Sequence, residues 1–144
     1  MDQKQLPKTN QPLVVRTDFE NQRAWKNICK LIRAPVPAPG DTFYAYVQFL
    51  EDAAFQGLGT KDLLARVPNG YNHSFLFVVD STAIGHPEFP ILVIDLREPE
   101  GRSFRAIPTA VQAIENNLSI SNMDFSEFAG AVDKNGIFRG FPAP

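Results

Sequence analysis

Hydrophobic and polar positions along this chain change period several times, and each period predicts a different element. Between Phe43 and Phe49 the residues alternate, with Phe43, Ala45, Val47 and Phe49 on one face and Tyr44, Tyr46 and Gln48 on the other. That is the pattern of a strand with one dry face. Two later runs, "FLFVV" (75–79) and "ILVI" (91–94), do not alternate and are rich in β-branched and aromatic residues, as strands covered on both faces are. The ten residues that follow Asp80, 81–90, are fewer than the dozen or so a parallel crossover needs, so the two are predicted to be antiparallel neighbours at the centre of a sheet.

Trp25, Ile28, Cys29 and Ile32 recur at helical spacing, after "LVVR" (13–16), a first strand, and Thr17-Asp-Phe-Glu20, which has the pattern of a capping box. The helix must stop before Pro35, Pro37 and Pro39, because proline cannot donate the backbone bonds a helix needs; residues 34–40 read as a stiff connector. Thr60 is a candidate cap for a short helix through "KDLLARV", halted by Pro68-Asn-Gly70. "REPEGR" turns the chain into a fifth strand, "SFRAI". Pro108-Thr109 predicts a helix that unwinds at Asn116-Asn117, although Ile114, Leu118 and Ile120 also fit one face of a strand. Asp124 and Glu127 form a second capping box, with Met123 and Phe128 as its hydrophobic staple, opening a helix over 125–132. Asn135-Gly136 predicts a turn that brings Phe138 and Phe141 onto the body.

These elements amount to an α/β (mixed α+β) domain over 13–144: about five strands in a mixed sheet, the N-terminal strands parallel and the central pair antiparallel, with about four short helices. Residues 1–12 offer little to bury against the entropy of ordering and are expected to form a flexible tail.

Composition narrows the function classes. With 14 basic and 16 acidic residues in 144 and no long block of one sign, the chain shows no stripe that would track phosphates, so nucleic acid is not an expected partner. The longest wholly apolar run, Phe75 to Val79, is far short of the roughly 20 residues of a membrane span. There is no export-type apolar segment near the start, and the lone Cys29 cannot form an internal disulfide; both suit the cytoplasm. In the apolar stripe, Cys29 reads as a small buried hydrophobe.

Two groups of residues could carry chemistry. In "ENNLSISNMDFSEFAGAV" (115–132), Asn116, Asn117, Asn122 and Asp124 sit between apolar anchors at a corner of the chain. Compact amides there satisfy backbone groups that no ladder reaches; the same cluster could alternatively hold a ligand. The second group lies at strand ends. If the first three strands run parallel, Asp18, Glu51, Asp52 and Asp80, with His86 in the next loop, share their carboxyl edge, where sites of open α/β sheets collect. Such oxygens suit a hard metal or acid/base work, but the bland alternatives are a helix start at Asp18 and a turn at Asp80. Asp95 and His73 fall at the opposite edge, no Gly-x-Ser-x-Gly elbow exists, and Gly57 and Gly59 lack a phosphate-loop context. No catalytic residue and no cofactor is assigned.

The blocks "VVRTDFENQRAW", "NHSFLFVVD", "ILVIDL", "ENNLSISNMDFSEFA" and "GIFRGF" resemble a group of small single-domain bacterial proteins known only as a domain of unknown function, over about residues 13–141. That resemblance implies one complete domain and carries no activity. The expectation is a non-catalytic cytoplasmic binding or interaction module with a protein or small-molecule partner. The alternative is a small metal-dependent or acid/base enzyme built on the strand-end carboxylates.

Overall fold

A computed structural model describes residues 3–97 and 99–141. Its strands are Leu13–Arg16 (β1), Val36–Ala38 (β2), Asp41–Phe43 (β3), Gln48–Leu50 (β4), Phe75–Val79 (β5), Ile91–Asp95 (β6), Ser103–Ala106 (β7) and Ile137–Phe138 (β8). Its helices are Gln22–Arg33 (α1), Thr60–Leu64 (α2), Ser81–Gly85 (α3), Val111–Ser119 (α4) and Phe125–Ala129 (α5). Six strands form one mixed sheet in the order β4-β1-β5-β6-β7-β8, and β2 with β3 makes a separate hairpin. β1 runs parallel to both β4 and β5, while β5, β6 and β7 are antiparallel in turn.

The unbroken apolar runs are explained by cover on both faces of the sheet. Val14, Phe77, Val79 and Val93 point into a core closed by Trp25, Ile28 and Ile32 of α1, Ile114 of α4 and Phe128 of α5. The alternate residues Leu13, Val15, Leu76, Val78 and Ile94 point into a second core closed by Phe55, Leu63 and Leu6. The expected adjacent, antiparallel central pair is present, with Phe77 opposite Val93. Phe138 is buried in β8, which adds a parallel strand beside β7, and Phe141 stacks on Phe128 and Phe138.

Several expectations are corrected. Within the segment before β1, Leu6 is 2 % exposed in the second core, and its N–H donates to Arg66 O at 2.8 Å. The alternating stretch 43–49 is split between β3 and β4. Ala45, Val47 and Phe49 do pack on the first core, but Phe43 faces solvent. Residues 34–40 are not merely a connector, since β2 folds back on β3 across Pro39-Gly40, with Gly40 at φ 77°.

Helix starts shift too. Thr17 is drawn into the sheet, its N–H donating to Val79 O, so Asn21 caps α1 by accepting the Ala24 N–H at 3.0 Å. Gly59, not Thr60, occupies the cap of α2. In the connection from β5 to β6, α3 follows Asp80, where the sequence allowed a turn. α4 continues through Asn116 and Asn117 to Ser119. α5 ends at Ala129, and Asp124 stands at its cap position without a side-chain bond to the helix.

Candidate functional site

The parallel half of the sheet contains a topological switch. The chain leaves β1 through α1, which covers the first core, but leaves β4 through Phe55 and α2, which cover the second. Neighbouring parallel strands whose connections depart to opposite faces leave a crevice at their carboxyl ends, the usual place for ligands in such sheets.

Register decides what stands there. Pairing of Val15 with Leu50 sets the next residues, Arg16 and Glu51, side by side. Arg16 closes β1 and is 1 % exposed. Its Nε donates to Asp18 O at 2.8 Å, and its Nη1 donates to Gln22 Oε1 at 2.7 Å and Glu51 Oε2 at 2.5 Å. The guanidinium carbon lies 4.5 Å from the centroid of the Phe19 ring and 5.2 Å from that of Trp25, an arrangement favourable for a delocalised cation. Nη2 is buried without a hydrogen-bond partner among the described residues. An arginine so enclosed is costly unless its donors are used, and here one nitrogen is not.

Gln22, Trp25 and Glu51, which surround that guanidinium, also line a groove of about 730 Å³ between α1 and β4. That volume lies within the roughly 300–1,000 Å³ of small-molecule sites. Phe49 and Trp25, in edge-to-face contact with centroids 6.0 Å apart, form its apolar wall, and Lys26, Lys30 and Arg33 form its rim. Arg33 lies over the Phe49 ring, 4.4 Å from its centroid. Cys29 also lines the groove, but burial pushes its thiol up to about 11, so it stays protonated near neutrality and is no nucleophile. The arrangement can hold an anion against aromatic surface.

The strand-end carboxylates share the edge, yet each has a local task. Asp18 accepts the Glu20 N–H at 2.8 Å, tightening its own turn. Asp52 caps the 3₁₀ turn Ala53–Phe55 and pairs with Lys4, whose hydrogen bond holds its carboxyl below the ordinary range. Asp80 caps α3 through the Ala83 N–H and takes both Nη atoms of Arg105, at 2.9 and 2.7 Å. His86 Nδ1 accepts the Glu88 N–H at 3.0 Å. Among the described residues, no three His, Cys, Asp or Glu side chains are placed to hold a metal ion.

The amide cluster divides. Asn116 accepts from Gln112 and donates to Tyr44 O at 2.9 Å, and Asn117 donates to Ala113 O at 2.8 Å while accepting from Asn122. These amides brace α4 and the corner after it. Asp124 lines a cavity of about 270 Å³, where Ser121 and Phe125 meet the buried Asp95 and its ion-pair partner Arg102.

Of the groove's lining residues, Glu51 was among the strand-end candidates; the others escaped the sequence reading as site residues, although a signal existed. Between Gln22 and Arg33 there are four basic residues and no acidic one, and Lys26, Lys30 and Arg33 are spaced i, i+4, i+7. No contiguous block betrays them; helical periodicity applied to charge does. Arg16, ending an apolar strand just before Phe19 and Trp25, was the other mark.

The deciding comparison is a family model that matches residues 11–141. The chain belongs to the family described as Domain of unknown function (DUF6924). No curated protein matches it. The DUF6924 match takes in β1 through β8 and thus both walls of the groove. No helix among the described residues is long and apolar enough to cross a membrane.

Proposed function

We propose that this DUF6924 protein is a non-catalytic binding module that holds a small organic anion with a flat apolar body in the groove between α1 and β4. One observation carries the reading: along the groove between α1 and the edge strand β4, an aromatic wall of Trp25 and Phe49 is rimmed by Lys26, Lys30 and Arg33. The half-buried Phe49 ring supplies apolar surface for a flat body, and the ammonium and guanidinium groups supply orientation and attraction for negative charge. The lone Cys29, with a protonated thiol, and the bacterial proteins the sequence resembles support a role in a bacterial cytoplasm. The balance of 14 basic against 16 acidic residues over the chain as a whole speaks against nucleic acid as the ligand.

Trp25 is the only tryptophan of the chain and stands in the wall, so its emission reports occupancy. Titration with 2-naphthoate should give saturable quenching that weakens as salt rises, and neutral 2-naphthalenemethanol should bind at least tenfold more weakly. The double variant Lys30→Glu, Arg33→Glu should lose the response. Equal binding of the neutral and anionic probes, or an unchanged response in that variant, overturns the reading.

A further inference from the structure

We infer that the natural ligand is a carboxylate, and that Glu51 is its stand-in in the empty protein, occupying Arg16 until the ligand's carboxylate replaces it. The inference rests on the groove being the binding site and adds what the anion is and where it goes.

The donor set argues for a carboxylate. Arg16 has five N–H groups, of which the one on Nε and the two on Nη1 are taken by Asp18 O, Gln22 Oε1 and Glu51 Oε2. The pair on Nη2 has no partner among the described residues. Glu51 therefore makes a one-pronged contact with a group built for two parallel bonds. A guanidinium and a carboxylate match as two forks, and a carboxylate engaging Nη1 and Nη2 together would use one of the two orphaned donors. Tetrahedral sulfonates and phosphates carry a further oxygen, which in a site as closed as that of Arg16, 1 % exposed, would be stripped of water without a donor in return.

Accessibility argues for exchange at Glu51 and not at the other partners. Asp18 O is backbone, and the aromatic rings of Phe19 and Trp25 pack the guanidinium from the side. The Glu51 side chain is 45 % exposed, lies just beyond β4 and lines the groove, so it can move out into water as an incoming carboxylate takes over its bond to Arg16. Its departure would also remove the acidic side chain among the groove's lining residues, leaving Lys26, Lys30 and Arg33 facing the ligand. The groove thus carries an internal competitor that sets a threshold for weakly bound anions and discriminates by headgroup shape.

Arg16 is too deeply built into the fold to be the variable; Glu51 is the residue to change. Glu51→Gln keeps the shape and one acceptor for Nη1 but removes the charge, and its melting temperature serves as the control for folding. Trp25 emission should show 2-naphthoate binding at least tenfold more tightly to Glu51→Gln than to the unmodified protein, while 2-naphthalenesulfonate changes by less than threefold. If the variant tightens both probes equally, removal of a nearby negative charge explains the effect and the exchange is wrong. If it leaves 2-naphthoate unchanged, Arg16 is not the receptor for the carboxylate, though the groove reading stands. If neither probe perturbs Trp25 in either protein, the groove reading itself fails and takes this inference with it.

Discussion

Glu115 Oε1 accepts the backbone N–H of Tyr46 at 2.7 Å, joining the middle of α4 to the loop that precedes β4. Glu115 is 4 % exposed, and its carboxylate also accepts from Asn116 Nδ2 and the Ser119 hydroxyl, each at 2.7 Å. The loop 44–47 therefore owes its path to a helix far along the chain. Replacing Glu115 by Ala should cost about 1–3 kcal/mol, the range for leaving buried hydrogen-bonding groups unpaired. Chemical denaturation measures the loss, and hydrogen exchange should speed at the Tyr46 amide before it speeds at β5. An unchanged Tyr46 amide would show that the loop is held by its side chains alone.

The four polar residues of the corner should separate by energy. Asn117 bonds Ala113 O and Asn122 through its side chain, so Asn117→Ala should cost about 1 kcal/mol. Asp124 is exposed and makes no cap bond, so Asp124→Ala should stay within about 0.5 kcal/mol of the parent. Comparable large losses in both variants would mean that Asp124 does cap α5 in solution.

Asp80 offers a test of the strand-end carboxylates. It caps α3 and clasps Arg105 across the sheet with two bonds, and the side chains of both residues are about a quarter exposed. Asp80→Asn removes the charge but keeps one acceptor, and should lower stability by about 1–3 kcal/mol, the range for hydrogen bonds to charged groups. Mg²⁺, Mn²⁺ and Ca²⁺ should leave the melting temperature of the parent unchanged, because the arginine already uses both carboxylate oxygens. Stabilisation by any of these ions that vanished in Asp80→Asn would restore a metal site.

What could be seen in the sequence follows from how local each cause is. β5 and β6 were legible because a strand buried on both faces must be apolar at every position, and Phe75–Val79 is. Asp80 was placed at the correct edge by the same logic. The alternation over 43–49 was read as one strand because pattern reports which residues face the core, and Ala45, Val47 and Phe49 do. It does not report that Glu115 and Asn116 take the backbone bonds of Tyr46 and Tyr44, which a continuous strand would have used in a ladder. α4 ran past its expected end since the amides of Asn116 and Asn117 find partners one turn back, at Gln112 and Ala113, which offsets their poor helix propensity. In the N-terminal segment, composition counts apolar residues without showing where one of them lands, and Leu6 lands in the second core. The groove was missed for a related reason: its parts come from β1, α1 and β4, and only the register of β1 on β4 places Arg16 beside Glu51.

Cys29 ties the groove wall to alkaline stability. Burial, acting against the nearby Arg33, raises its thiol from the ordinary 9.0 to about 11 in the folded chain. Between those values the unfolded chain releases the proton and the folded one keeps it. The contribution is therefore complete below pH 9 and drains away as pH rises to about 11, a loss of about 3 kcal/mol. Urea denaturation from pH 8 to 11 should show the unmodified protein losing that much more stability than Cys29→Ala over the same interval. Tyr71, pushed up to about 12 by burial, is common to both proteins and cancels in the comparison. The folded protein should also react slowly with a disulfide reagent at pH 8, with the rate rising on unfolding, since Cys29 is 6 % exposed and protonated. Parallel stability profiles for the two proteins, or fast labelling at pH 8, would mean that the wall of α1 against Phe49 opens to water, leaving the aromatic side of the groove no fixed surface to offer a ligand.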